Sequence, residues 1–135
     1  MEILNSTVNN RSVVIADDDD LTRDLLRALL GASGMRVIGQ AADGARALDL
    51  VQKLKPEIVC LDIDMPEMTG LEVLAKIREQ EIATIVLMIT GATTGENVRN
   101  AIAGRADGII AKPFNSSKIV GELERAIARL QNKKA

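Results

Sequence analysis

Glu57-Ile58-Val59-Cys60-Leu61-Asp62-Ile63-Asp64-Met65-Pro66 carries an unbroken apolar run straight into a carboxylate. Ile58 to Leu61 show no polar alternation, the mark of a short strand buried on both faces in a parallel sheet. Pro66 has no N–H to give a ladder and biases Met65 towards extended or turn geometry, so the strand ends beside Asp62. Asp62 then stands at the strand's carboxyl end. In an open α/β sheet that edge is where loops shape a ligand crevice over a rigid floor.

An Asp after a strand is ordinarily a turn residue or a helix cap. Three further runs give it company. Val13-Val14-Ile15-Ala16 ends in Asp17-Asp18-Asp19-Asp20, Ile85-Val86-Leu87-Met88-Ile89 ends in Thr90-Gly91, and Ile109-Ile110-Ala111 ends in Lys112-Pro113. Four strand-like runs deliver acid, acid, hydroxyl and ammonium to one edge of one sheet.

Between the runs the pattern is helical. Asp20 is placed to cap a helix with an apolar face of Leu21, Leu25, Ala28 and Leu29, ended by Gly31 and Gly34. Met35 to Ala41 reads as the second strand, and Asp43 caps a helix burying Ala47, Leu48, Val51 and Leu54 before Lys55-Pro56. Thr69-Gly70-Leu71-Glu72 is a capping box, followed by a helix burying Leu71, Leu74 and Ile77. Thr84 to Ile89 reads as the fourth strand. Thr93-Thr94-Gly95-Glu96 is a second box opening a short helix with Val98 and Ile102 inward, weak because of two Asn and an end at Gly104. Gly108 to Ala111 is the fifth strand, and the last helix places Ile119, Leu123, Ile127 and Leu130 on one stripe. Arg125, Arg129, Lys133 and Lys134 complement its dipole. Strand and helix alternate five times, which predicts an α/β, doubly wound, five-stranded parallel sheet with helices on both faces.

At 135 residues and 47% hydrophobic content the chain suits one domain, expected over residues 12–131 with a lead-in at 1–11 and a tail at 132–135. Histidine is absent, which removes His-based zinc sites and His general bases. The net charge of −2 gives no basic field for nucleic acid, and one Phe without Trp or Tyr offers almost nothing for base stacking. No apolar stretch reaches the ~18 residues of a membrane span, and Met1 to Asn10 lacks a signal-peptide core. The single cysteine, Cys60, reads as a small buried hydrophobe, and a cytoplasmic protein is expected.

Asp17, Asp18 and Asp62 gathered in one cleft repel one another unless a cation joins them. Mg²⁺ takes oxygen ligands and is commonly held by one or two carboxylates plus phosphate oxygens, which these three supply, while Asp19 and Asp20 are left to cap or to face solvent. Lys112 adds a positive charge and Thr90 a hydroxyl, enough with the metal to neutralise three phosphoryl oxygens. Phosphoryl transfer needs little beyond positioning and charge neutralisation, with Asp62 as nucleophile and an aspartyl-phosphate as product.

In these residues the chain resembles the CheY-like receiver domains of two-component response regulators, from Arg11 to about Leu130. Asp17-Asp18 resembles the family's acidic pair, Asp62 its phosphoacceptor, Met65-Pro66 and Gly70 its following loop, Thr90 its switch hydroxyl, and Lys112-Pro113 its Lys with a cis-proline. The resemblance implies a flavodoxin-like fold with strand order 2-1-3-4-5, and a metal site completed by the Asp64 backbone carbonyl. It also implies Mg²⁺-dependent transfer from a bacterial histidine kinase or phosphotransfer protein, with Thr90, Gly91 and Lys112 around the phosphoryl group. Such a domain catalyses only its own phosphorylation and autodephosphorylation. Standing alone, it signals through protein contacts on the face of the fourth helix, fifth strand and fifth helix.

Three positions depart from the family's usual pattern. Ile109 stands where an aromatic switch residue is usual, Asp64 lies two residues after the phosphoacceptor, and Gly91 replaces a common Ala. The first bears on switch coupling and the others on phosphoryl lifetime. Asp62-Ile63-Asp64 also looks like the Asp-x-Asp of haloacid-dehalogenase-type phosphatases, although the acidic pair here comes first and Met65 replaces the usual Thr or Val. A flavin-binding domain rests on architecture alone, with only Phe114 to stack on the ring. A degenerate receiver serving as a fixed interaction module is a further alternative, opposed by the intact acid, hydroxyl and Lys set.

Overall fold

The computed structural model describes residues 7–91 and 93–134, with side chains to residue 132. Ten elements alternate: β1 (Ser12–Ala16), α1 (Asp20–Ala32), β2 (Arg36–Ala41), α2 (Gly44–Leu54), β3 (Ile58–Leu61), α3 (Gly70–Glu79), β4 (Ile85–Thr90), α4 (Gly95–Ala103), β5 (Gly108–Ala111) and α5 (Ser116–Lys134). All strand pairs are parallel, in the order β2-β1-β3-β4-β5. This is the predicted doubly wound sheet, with β1, β3 and β4 buried along their whole length.

Side chains alternate across each strand, so one unbroken apolar run feeds two cores. Val13, Ile15, Ile58, Cys60, Leu87 and Ile89 face α1 and α5, where Leu26, Leu30, Ile119, Leu123 and Ile127 close the layer. Val14, Ala16, Val59, Leu61, Val86 and Met88 face α2, α3 and α4, where Val51, Val73, Leu74, Ile77 and Ala101 close the other. Each fully buried Val, Leu, Ile or Met among them stabilises the fold by roughly 1.5–3 kcal/mol. Burial raises the Cys60 thiol to about 12, consistent with a small core hydrophobe.

Several helix faces differ from the sequence expectation. On α1, Leu21 and Leu25 are exposed (77% and 50%), whereas Leu26 and Leu30 are buried. Five leucines at positions 21, 25, 26, 29 and 30 supply two stripes of helical period, and docking on β1 and β2 selects the one turned by about 100°. Leu54 at the end of α2 is exposed at 42%, and Leu71 is only half-buried while Val73 is buried. On α4 the buried residue is Ala101, and Ile102 is 68% exposed.

Two caps also move. The N-cap of α1 is Asp19, whose carboxylate accepts the Thr22 N–H, so Asp20 is the first helical residue. Its hydrogen bonds with Thr22 hold the Asp19 carboxyl below its ordinary range. The N-cap of α4 is Thr94, accepting from the Asn97 N–H, one residue later than the expected Thr93–Glu96 box. The Thr69–Glu72 box forms as expected, with Glu72 N–H donating to Thr69 Oγ1 at 3.2 Å and Thr69 N–H to Glu72 Oε1 at 2.9 Å. Near the carboxyl terminus, Arg125 pairs with Glu122, and Arg129 donates to the Asp107 carbonyl at 2.6 Å. Residues 1–6 of the lead-in, the side chains of Lys133 and Lys134, and Ala135 lie outside the described residues.

Candidate functional site

Register brings the chemistry together. Ala16 pairs with Leu61 and Leu61 with Met88, so the residues that follow β1 and β3 leave the sheet at the same level. The Asp62 N–H still donates to the Ala16 carbonyl at 3.0 Å, and the Asp17 N–H to the Ala41 carbonyl at 3.1 Å. Both carboxylates are therefore fixed by ladder hydrogen bonds of the sheet itself. Asp17 is 2% exposed and Asp62 6%, whereas Asp18 projects into solvent.

Lys112 follows β5 and its N–H donates to the Thr90 carbonyl at 2.9 Å, which levels it with the end of β4. Its Nζ lies 2.7 Å from Asp17 Oδ2 and 3.3 Å from Asp62 Oδ2, one ammonium shared by two buried carboxylates. Burial works to lower the Lys112 ammonium, but its hydrogen bond to Asp17 and the charge of Asp62 outweigh this and raise it. Burial and the charge of Asp17 raise the Asp62 carboxyl, against the opposing pull of Lys112 and a hydrogen bond with Thr90. Thr90 itself is buried at 1%.

The oxygens of Asp17, Asp18 and Asp62 lie within 4.8 Å of one another. Opposite ligands of an octahedral Mg²⁺ stand about 4.2 Å apart, so small side-chain movements close the three around a hard cation. The donor set is all oxygen and carries more negative charge than Lys112 alone balances. A small oxygen-seeking divalent cation fits both properties.

The loops are packed too tightly to drift. A Cβ on Gly70 would fall 2.0 Å from the Asp62 carbonyl oxygen, and the Gly70 N–H donates to the Ile63 carbonyl at 2.8 Å. Only glycine lets α3 begin so close to the acidic strand end. A Cβ on Gly44 would fall 1.8 Å from the Met68 carbonyl oxygen, and the Gly44 N–H donates to the Pro66 carbonyl at 3.2 Å, so α2 braces the same loop.

Other residues singled out from the sequence lie around this centre. Asp64 is exposed on the β3–α3 loop, and Gly91 is exposed with open space where a side chain would stand. The Lys112-Pro113 peptide is cis. Ile109, half-buried on β5, packs against the core formed by α2, α3 and α4. Sequence reasoning missed Arg23, whose guanidinium donates to the Asp17 carbonyl at 2.7 Å and pairs with Asp20 at 2.6 Å, pinning the β1–α1 loop. Its spacing of three from Asp20 was the available signal. The preference of Lys112 for Asp17 over Asp62 left no trace in the sequence.

Comparison with known proteins agrees with this geometry. The family model described as "Response regulator receiver domain" matches residues 13–124. Chemotaxis protein CheY of Listeria monocytogenes is 34% identical over 114 residues, 84% of this chain and 96% of that protein. Transcriptional regulatory protein PdtaR of Mycobacterium tuberculosis is 32% identical over 121 residues, 90% of this chain, and the chain spans 58% of its length. Among solved structures, the CheX-CheY-BeF3-Mg complex from Borrelia burgdorferi aligns with a TM-score of 0.83 at 29% identity, covering 91% of this chain and 93% of that one. With the receiver model matched from β1 into α5, the chain belongs to the response regulator receiver family.

Proposed function

We propose that Asp62 accepts a phosphoryl group from a histidine kinase or phosphotransfer protein in a Mg²⁺-dependent reaction, within a receiver spanning residues 12–131. The observation that carries this reading is the shared ammonium: two buried carboxylates, close to Asp18, have Lys112 as their common counter-charge. A carboxylate oxygen of Asp62 attacks phosphorus, the new O–P bond forms as the donor's P–N bond breaks, and the electron pair leaves with the donor imidazole. Asp17, Asp18, Asp62 and the Asp64 carbonyl would hold the metal, which would offset the charge of the phosphoryl oxygens. Lys112 pairs with one phosphoryl oxygen and Thr90 donates its hydroxyl to another, with Gly91 leaving the approach open.

Leu21 and Leu25, exposed on α1 beside the acidic edge, offer an apolar step for the phosphodonor. Output runs through the face of α4, β5 and α5, where Ile102 is exposed and Ile109 half-buried. This reading makes the domain a signalling phosphoacceptor of the bacterial cytoplasm that catalyses only its own phosphorylation and dephosphorylation. No helix among the described residues is long and apolar enough to cross a membrane. The dehalogenase-type alternative is disfavoured because Asp64 is exposed, whereas Asp62 is buried with Asp17.

The test is incubation with acetyl phosphate and Mg²⁺ followed by intact mass. One phosphoryl group is expected, dependent on the metal and absent from Asp62→Ala. An undiminished shift in Asp62→Ala would place the acceptor elsewhere.

A further inference from the structure

We propose that Arg23, on the first turn of α1, is a positioning residue of the cation site: it fixes the peptide that aims the Asp18 carboxylate, and so sets the affinity for a divalent cation. The inference rests on the metal reading of the acidic cluster and adds to it a residue that is not itself a ligand.

Asp17 and Asp18 reach the site in different ways. Asp17 is held at each of its polar atoms. Its N–H donates to the Ala41 carbonyl at 3.1 Å, Oδ1 accepts the Asp19 N–H at 2.9 Å, Oδ2 accepts from Lys112 Nζ at 2.7 Å, and its carbonyl accepts from Arg23 Nη1 at 2.7 Å. Asp18 is exposed, and its carboxylate has no hydrogen-bond partner among the described residues. Its direction is therefore dictated by the peptide on either side. The peptide that follows it is pinned through the Asp19 N–H by the Asp17 carboxylate, one of the ligand groups. The peptide that precedes it is pinned through the Asp17 carbonyl by Arg23. Removing the guanidinium frees that peptide and leaves the sheet hydrogen bonds of Asp17 and Asp62 in place.

Stability does not explain this arginine. It is the fourth residue of α1, at the positive end of the helix dipole, where a cation is disfavoured. Its ion pair with Asp20, at 2.6 Å, is made to a carboxylate that is 87% exposed, and such surface pairs contribute little. The Arg23 side chain is nevertheless only 16% exposed, with one nitrogen on the Asp17 carbonyl and another on Asp20, which holds the planar fork in one orientation. Its positive charge beside the acidic cluster opposes a second cation, so any gain in affinity must come from position. The two effects have opposite signs, and a titration separates them.

The probe is Mg²⁺ alone, titrated into the ¹⁵N-labelled protein and followed by the amide shifts of Asp17, Asp18 and Asp62, with the melting temperature measured without metal. Arg23→Met keeps the aliphatic stem and removes the head, whereas Arg23→Lys keeps the charge and a single donor. Residues that orient metal ligands typically tune affinity by about 10–100-fold. Arg23→Met should weaken Mg²⁺ binding about tenfold, at the lower end because Asp18 is one ligand of several, and Arg23→Lys should weaken it less. A guanidinium acting only through its charge would give tighter binding in Arg23→Met and no change in Arg23→Lys. One acting only on the fold would lower the melting temperature and leave the affinity unchanged. Either result, with saturable binding in the wild type, overturns the role of Arg23 and leaves the metal reading standing. An absence of saturable binding in the wild type would remove the metal reading and this role together.

Discussion

Removing Lys112 should destabilise the metal-free protein, and by an amount that depends on pH. Its ammonium lies 2.7 and 3.3 Å from two carboxylates whose side chains are 3% and 7% exposed. Two carboxylates with one oxygen each within 4.8 Å repel by about 3 kcal/mol at an effective dielectric near 20. Protonation limits the cost: lifting one carboxyl from about 4 to neutrality is roughly three pKa units, or about 4 kcal/mol. The Lys112 side chain is itself 24% exposed, so water replaces part of what it supplies. Lys112→Ala should therefore lose about 2–3 kcal/mol at neutral pH without metal. In urea this lowers the midpoint by about 1–1.5 M.

The sign of the pH dependence follows from Asp62, whose carboxyl is raised by burial and by Asp17 and lowered by Lys112. Between its unfolded and folded values the native state binds more protons than the unfolded state, so stability falls as pH rises through that window. Deleting Lys112 raises Asp62 further and extends the window upward. The loss should be smallest at acidic pH and grow as pH rises through the window between the unfolded and folded values of Asp62, and saturating Mg²⁺ should recover much of it. A loss below about 0.5 kcal/mol, or one indifferent to both pH and Mg²⁺, would refute the charge-balance argument.

Three further outcomes are expected. Leu26→Ala should cost about 2–5 kcal/mol by urea unfolding and Leu25→Ala less than about 0.5 kcal/mol; reversed magnitudes would mean that α1 buries the other stripe. Asp64→Arg should lengthen the lifetime of the phosphorylated protein, because an exposed carboxylate two residues after Asp62 can orient an attacking water while Gly91 leaves the approach open; slower decay in the wild type would rule this out. Phosphorylation should change amide exchange in residues 96–103 of α4 more than at Ile109, since a β-branched side chain is stiff at its first torsion and carries little of the switching energy. New protection confined to Gly108, Ile109 and Ile110 would show that the switch runs through β5.

The sheet was legible because Ile58–Leu61 and its counterparts are apolar on both faces and stop at acids, a hydroxyl or a lysine. That combination has few solutions other than a parallel sheet with chemistry at one edge. Helix faces were less legible for a reason visible in α1: five leucines satisfy two stripes, and only the tertiary contact with β1 and β2 chooses between them. On α4 the small Ala101 lies against the sheet while the larger Ile102 faces out, an inversion that hydrophobicity cannot anticipate. Composition and spacing placed Asp17, Asp62, Thr90 and Lys112 on one edge, but Lys112 binding Asp17 more closely than Asp62 is a matter of side-chain reach. The cluster at the opposite sheet edge left no motif, because Arg78 reaches the Thr84 and Arg105 carbonyls and Asp107 only through the packing of α3 beside β4 and β5.

The position of the phosphoryl group on the chain tests the central claim most directly. After reaction with acetyl phosphate and Mg²⁺, borohydride reduction converts an aspartyl-phosphate to homoserine, which peptide sequencing by mass spectrometry locates. Homoserine at position 62 alone, absent when Mg²⁺ is chelated, is the predicted result; homoserine at 17, 18 or 64 with none at 62 would contradict the account.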